Sequence, residues 1–198
     1  GYTVVLDKDI DVTSTITISG VHGTTVIESR NNSAIDGSFS RRLFYIHEAD
    51  VTFSGVTLRS ASVHSYGGCM YVDGANVTFR STTFSSCYTN YYGGALFATS
   101  GARIRSVGLT FRSCSVLNYG GALHLKSSAQ ADLESSLFED CSNTGESGGS
   151  RGGAAYLEDD AVLTATTTIF RSNSARYGGG LYATSASTVS LVGCTFMS

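Results

Sequence analysis

A solenoid of stacked β-coils, the parallel β-helix, is the fold class that this sequence of 198 residues predicts, and three observations predict it. The first is a glycine pair that returns in Tyr66-Gly67-Gly68-Cys69-Met70, Tyr92-Gly93-Gly94-Ala95-Leu96, Tyr119-Gly120-Gly121-Ala122-Leu123, Arg151-Gly152-Gly153-Ala154-Ala155 and Tyr177-Gly178-Gly179-Gly180-Leu181, at intervals of 26, 27, 32 and 26 residues. The second is a phenylalanine, at 84, 111, 138, 170 and 196, with intervals of 27, 27, 32 and 26; Leu58 takes its place one repeat earlier. Both markers share the single long interval, which excludes a chance alignment. A fixed period of this length is the signature of a chain whose repeats stack on one another. The third is alternation. Val51, Val77, Ile104, Ala131, Leu163 and Val189 stand seven residues before the markers, and Phe53, Phe79, Ser106, Leu133, Ala165 and Leu191 stand five before. Apolar residues at every second position make a strand with one buried face.

Each element follows from these markers. After the glycines, Met70, Leu96, Leu123, Ala155 and Leu181 alternate with a second inward set, Val72, Ala98, Leu125, Leu157 and Ala183, which predicts a second strand per repeat. The rest of a coil is a third short strand or a turn. Towards the N-terminus, Ile16-Thr17-Ile18 and Leu43-Phe44-Tyr45-Ile46 occupy strand positions. The extra residues of the long interval fall in the Gly/Ser-rich stretch 142–150, which predicts a loop bulging from one coil. Apolar residues do not recur at the helical period, and β-branched residues abound, so no helix is expected. About seven coils at a rise of ~4.8 Å make a rod of roughly 30–35 Å.

Composition narrows the function classes. The length suits one domain, residues 1–198. A net charge of −3 with 15% charged residues gives no basic surface for nucleic acid, and no apolar run reaches membrane-span length. The chain begins at Gly1 without a signal peptide and stops on Thr195-Phe196-Met197-Ser198 without a polar cap, so it is expected to be a fragment of a longer rod or a stacking unit. Proline is absent, as in-register ladders require. A surface of Ser, Thr, Gly and Asn points to an extracellular or cell-surface location. The triplets Asn31-Asn32-Ser33 and Asn76-Val77-Thr78 make Asn31 and Asn76 candidate N-glycosylation sites.

Five cysteines cannot all pair. Cys87, Cys114 and Cys141 each lie three residues after a marker phenylalanine and form a column, continued by Asn173. The column reads as a ladder of small buried residues; the alternative is one disulfide between adjacent coils. Cys69 reads as a small core residue of the Gly-Gly strand. Ligands in a line do not make a tetrahedral centre, so neither a metal nor a cofactor is expected.

The paired markers resemble the repeat of the chlamydial polymorphic outer membrane proteins. Gly93-Gly94-Ala95-Leu96 and Gly120-Gly121-Ala122-Leu123 match its glycine motif, and Phe170-Arg171-Ser172-Asn173 matches its Phe-x-x-Asn motif. Three other coils have Cys for that Asn. The resemblance covers about residues 40–198. It implies an all-β, right-handed parallel β-helix, pectin-lyase-like, and a role as a surface-exposed adhesin. Polysaccharide-cleaving relatives carry proline-containing or Asp/His signatures that are missing here. Among the local carboxylates, Asp132 and Glu134 lie on the strand before Phe138, Glu139 and Asp140 follow it, and Glu158, Asp159 and Asp160 form a turn run one coil later; they read as solvated acidic positions and not as an active site, and His22, His47, His64 and His124 are scattered. A non-enzymatic protein is expected, with no catalytic residue.

One column remains for binding. If Met70, Leu96, Leu123, Ala155 and Leu181 face inward, then Tyr71, Phe97, His124, Tyr156 and Tyr182 face outward as an aromatic stripe suited to sugar rings or to another rod. The alternative is a bend at the glycines that turns these rings into the core. Tyr66, Tyr92, Tyr119 and Tyr177, interrupted by Arg151, form a second ladder over the glycine turn. The expected partners are other copies, end to end or side by side, and a polysaccharide or other glycan.

Overall fold

The computed structural model describes residues 1–198 except Ser147, Gly148 and Ser185. Among the described residues it contains 27 strands and no helix. The strands stack into four parallel sheets. Sheet A has eight strands, from Tyr2–Leu6 to Thr188–Val192, and sheet B eight, from Ile10–Asp11 to Thr195–Met197. Sheet C has seven, from Ile16–Ser19 to Leu181–Ala183, and sheet D has four two-residue strands. A middle coil runs through sheets C, A, B and D as Met70–Asp73, Asn76–Arg80, Thr83–Ser85 and Tyr88–Thr89.

The two markers set the register. The Gly-Gly strand is the sheet C strand, the alternating strand is in sheet A, and the phenylalanine lies in sheet B. Met70 pairs with Leu96, Val77 with Ile104 and Phe84 with Phe111. Inward residues of sheets A, B and C fill one continuous lumen. Within it the marker rings stack, with centroids 5.1 Å apart for Phe84–Phe111, 4.7 Å for Phe111–Phe138, 4.8 Å for Phe138–Phe170 and 4.6 Å for Phe170–Phe196. Burying each such ring contributes about 2–3 kcal/mol, so the column is a principal source of cohesion between coils.

The glycine pair has a separate reason at each position. The first glycine turns the chain through a left-handed conformation, with φ of +64° at Gly93 and +71° at Gly120. The second lies against the next coil: a Cβ on Gly94 or Gly121 would stand 1.9 Å from the carbonyl oxygen of Gly121 or Gly153, respectively. No side chain fits there while the ladder hydrogen bonds Gly94 N–Gly120 O and Gly121 N–Gly152 O, each 2.9 Å, are kept.

Two expectations about the corners are revised. The stretch 142–150 begins as a sheet D strand, Ser142–Asn143, and Gly145 then lies against the Leu117 carbonyl; Ser147 and Gly148 lie outside the described residues. In the cysteine column, Cys87 does not bond upward. It forms a disulfide across its own coil with Cys69, with Cα atoms 5.5 Å apart. Both side chains point into the lumen at facing corners. In the next two coils Ala95 and Ala122 hold the Cys69 position, so Cys114 and Cys141 lack this partner and are buried free thiols. Burial, with the Cys114 thiol alongside, pushes the Cys141 thiol well up. Asn173 continues the column by donating to Phe138 O and accepting from Cys141 N–H, both at 2.9 Å.

The first and last coils each border a hollow. Ile10, Ile18, Ile27 and Phe44 help line a hollow of about 420 Å³ beside Tyr2 and Val4. At the other end Phe170, Phe196 and Met197 line one of about 400 Å³.

Candidate functional site

Strand alternation in sheet C sends one set of residues into the lumen and the next away from it. Tyr45, Tyr71, Phe97, His124, Tyr156 and Tyr182 are in direct register on the outward side. They do not form an open stripe. Phe97, His124 and Tyr156 are 4%, 0% and 2% exposed, and Tyr71 and Tyr182 are half-buried. The cause is the segment that leads into each glycine pair. The left-handed glycine folds that segment back over sheet C and lays a tyrosine on the column. Tyr66 packs on Phe97 at 5.2 Å, Tyr92 meets His124 edge-on at 5.0 Å, and Tyr119 stacks on Tyr156 at 4.7 Å. The rings therefore occupy neither the lumen nor the solvent. They make a second, aromatic core outside the coil.

That layer has its own order. Tyr66, Tyr92, Tyr119, Tyr156 and Tyr182 stack in succession with centroids 5.2, 5.5, 4.7 and 5.8 Å apart and planes within 16°. Where other coils have tyrosine, Arg151 lays its guanidinium 5.9 Å from the Tyr119 ring and 5.5 Å from the Tyr182 ring, a cation–π bridge that keeps the ladder continuous. Arg42 closes the upper end by donating to the carbonyls of Tyr66 and Gly67. The solvent meets only the rim: Tyr66, Tyr91 and Tyr177 are the exposed tyrosines of this face.

Beneath the ladder lies a polar cluster. His124 Nε2 is 3.3 Å from Glu158 Oε1, without the alignment of a hydrogen bond, and Nδ1 also lacks a partner. Lys126 Nζ sits 2.8 Å from the same carboxylate and 3.3 Å from Asp159. The Tyr156 hydroxyl donates to Glu158 Oε2 at 3.3 Å. The adjacent His124 ring and the Lys126 ammonium hold the Glu158 carboxyl down at about 2. Burial, reinforced by Glu158, pushes Tyr156 up to about 12. Burial also lowers His124, so the neutral ring is favoured. The cluster is a packed ion pair under a roof of rings, and its geometry anchors the turn at Glu158 to sheet C.

Of the other carboxylates, Glu139 is clamped by Arg112 at 2.7 Å and by Arg171. Asn31 and Asn76 are exposed, and Asn76 donates to Asp50 Oδ1 at 2.8 Å. Among the described residues, no group of three or more His, Cys, Asp or Glu is placed to hold a metal ion, and no helix is long and apolar enough to cross a membrane. The part of Lys126 escaped the sequence reading because only this coil has a cation two residues after the outward ring.

No curated protein and no solved structure significantly matches the chain. A family model described as "Right handed beta helix region" matches residues 11–198. With its parallel four-sheet coil and glycine-paced register, the chain belongs to the right-handed β-helix family.

Proposed function

We propose that this β-helix is a non-enzymatic structural or adhesive rod of the cell surface or extracellular space, assembled by coil-on-coil stacking. The observation that carries this reading is the uniform register of the rod: the marker rings of successive coils stack at 4.6–5.1 Å, and each coil offers its neighbour the same apolar columns. A coil added in register from another copy extends these columns and their backbone ladders. The disulfide Cys69–Cys87 and the exposed sequons at Asn31 and Asn76 support an oxidising, extracellular setting. The full burial of His124 beneath the tyrosines supports a non-enzymatic role. Within the family, the Gly-Gly-Ala-Leu and Phe-Arg-Ser-Asn motifs favour kinship with the chlamydial surface repeat.

Electron microscopy and sedimentation of purified protein test the stacking: end-to-end contacts or fibres are expected, and a strictly monomeric chain at high concentration contradicts it. The exposed rim of the tyrosine ladder favours a second reading, a glycan-binding module, with Tyr66, Tyr91 and Tyr177 as the accessible rings. A glycan array compared with Tyr66→Ala and Tyr91→Ala decides that reading, which fails if no glycan is retained.

A further inference from the structure

Charged residues on neighbouring coils behave differently on two faces of the rod. On the outside of sheet B, Arg112 lies in direct register with Glu139 and pairs with it at 2.7 Å. Arg59 likewise pairs with Asp36 at 2.7 Å. On the outside of sheet A, Arg105 lies in direct register with Asp132, yet neither belongs to an ion pair among the described residues. The same holds for Arg80, Arg103 and Glu134 around them. These five side chains are exposed, and exposed Val107 stands between Arg80 and Glu134 in the register. Sheet A thus carries a cationic stripe, Arg80, Arg103 and Arg105, alongside an acidic stripe, Asp132 and Glu134, with the charges of both left unpaired among the described residues.

Such a face is complementary to itself. We propose that the outer face of sheet A is a side-by-side interface with a second copy of this chain, related by a two-fold axis that runs along the strands between Arg103–Val107 and Gln130–Glu134. That axis exchanges the two strands. Arg105 of one copy then faces Asp132 of the other, and the contact occurs twice, as an isologous interface requires. Arg103 faces Gln130, Val107 faces Glu134, and Thr78 faces Thr164. The two rods lie antiparallel, with their sheets packed face to face in the aligned manner. A hollow of about 500 Å³, bordered by Arg105, Asp132 and Glu134, gives an incoming guanidinium from the second copy room to reach a carboxylate. Bidentate pairing of guanidinium and carboxylate supplies the orientation. The face measures roughly 35 Å by 16 Å, so two copies bury on the order of 1,100 Å², near the lower edge for a specific and reversible dimer.

A polyanion fits the face less well. The acidic stripe repels it beside the very arginines that would hold it, and the whole chain is net negative at −3. The proposal rests on the reading of the chain as an assembling rod, but it uses the side of the rod and not its ends. Variants of sheet A therefore leave end-to-end stacking intact, and the two readings fail separately.

The test is sedimentation velocity with two charge reversals. The wild-type chain is expected to dimerise side by side in low salt and to dissociate as salt rises. Arg105→Asp alone brings four carboxylates together at the interface, and Asp132→Arg alone brings four guanidiniums; each is expected to weaken the dimer at least about a hundredfold. In an equal mixture of the two variants, both contacts become Asp–Arg, and dimers are expected to return. This comparison is insensitive to any strain within one chain, because each variant keeps that strain in the mixture. A mixture that stays monomeric overturns the proposal, as does a wild-type chain with no side-by-side dimer that is shifted only by added polygalacturonate. Single variants that dimerise as well as wild type also overturn it.

Discussion

Phe111 and Phe196 hold the same place in their coils, yet Phe111 is fully buried and Phe196 is 51% exposed. Val51 and Val77 are core, while Tyr2, in the same column of sheet A at the N-terminal coil, is 70% exposed. The residue types and backbone are alike; the difference is a neighbour on one side or two. A solenoid has no centre to which its chain collapses, so each coil becomes interior only when another covers it. The middle coils are covered twice over, by adjacent coils and by the tyrosine segment outside sheet C. The first and last of these coils are covered on one side, so cohesion between coils is read there most simply.

Substitutions in matched positions sharpen this contrast. The largest effect is expected at the second glycine of the pair. Gly121→Ala drives a methyl into the Gly153 carbonyl, at 1.9 Å, and should destabilise by at least about 4 kcal/mol in denaturant unfolding. Gly179→Ala, in the last glycine pair, meets its nearest atom at 2.8 Å and should cost clearly less. Next comes the ring column: Phe111→Ala should cost about 3–5 kcal/mol, and Phe196→Ala under about 1 kcal/mol. Equal costs at the two phenylalanines would break the comparison.

The disulfide offers a third test, since one coil has Cys69 where the next coils have alanine. Removing the bridge should cost about 3 kcal/mol for a loop of this length. Reductant should lower the unfolding midpoint of the wild type and leave that of Cys69→Ala unchanged. A fourth test is electrostatic. Glu158 is held at about 2, below its ordinary 4.5, first by the His124 ring and then by Lys126. The unfolded chain therefore takes up this proton first as pH falls. The contribution of the carboxylate is complete above about 4.5 and is lost between there and about 2. Glu158→Gln should flatten that part of the stability–pH curve.

Much of this order was legible in the residues. The glycine and phenylalanine intervals assigned columns without ambiguity, because an in-register solenoid converts sequence distance directly into position. The outward direction of Tyr71, Phe97, His124, Tyr156 and Tyr182 also followed from alternation. Their cover did not, because it depends on where the segment before each glycine pair folds back, and periodicity is silent about loops. The bond between Cys69 and Cys87 escaped because columns relate coil to coil, whereas this bridge crosses a single coil. Asp132 and Glu134 were visible as local carboxylates, but their relation to Arg105 was not: Arg105 and Asp132 stand where other coils have Thr52, Thr78, Thr164 and Ser190, so no repeat marks the pair.

Hydrogen–deuterium exchange, resolved by coil and repeated over a range of protein concentrations, tests most directly whether a neighbouring coil makes the core. Amides of the middle coils should be protected at every concentration. Those of residues 2–19 and 188–197 should exchange fast in dilute solution and become protected as concentration rises and copies stack. Terminal amides that exchange at one rate across the whole range, fast or slow, would contradict the account.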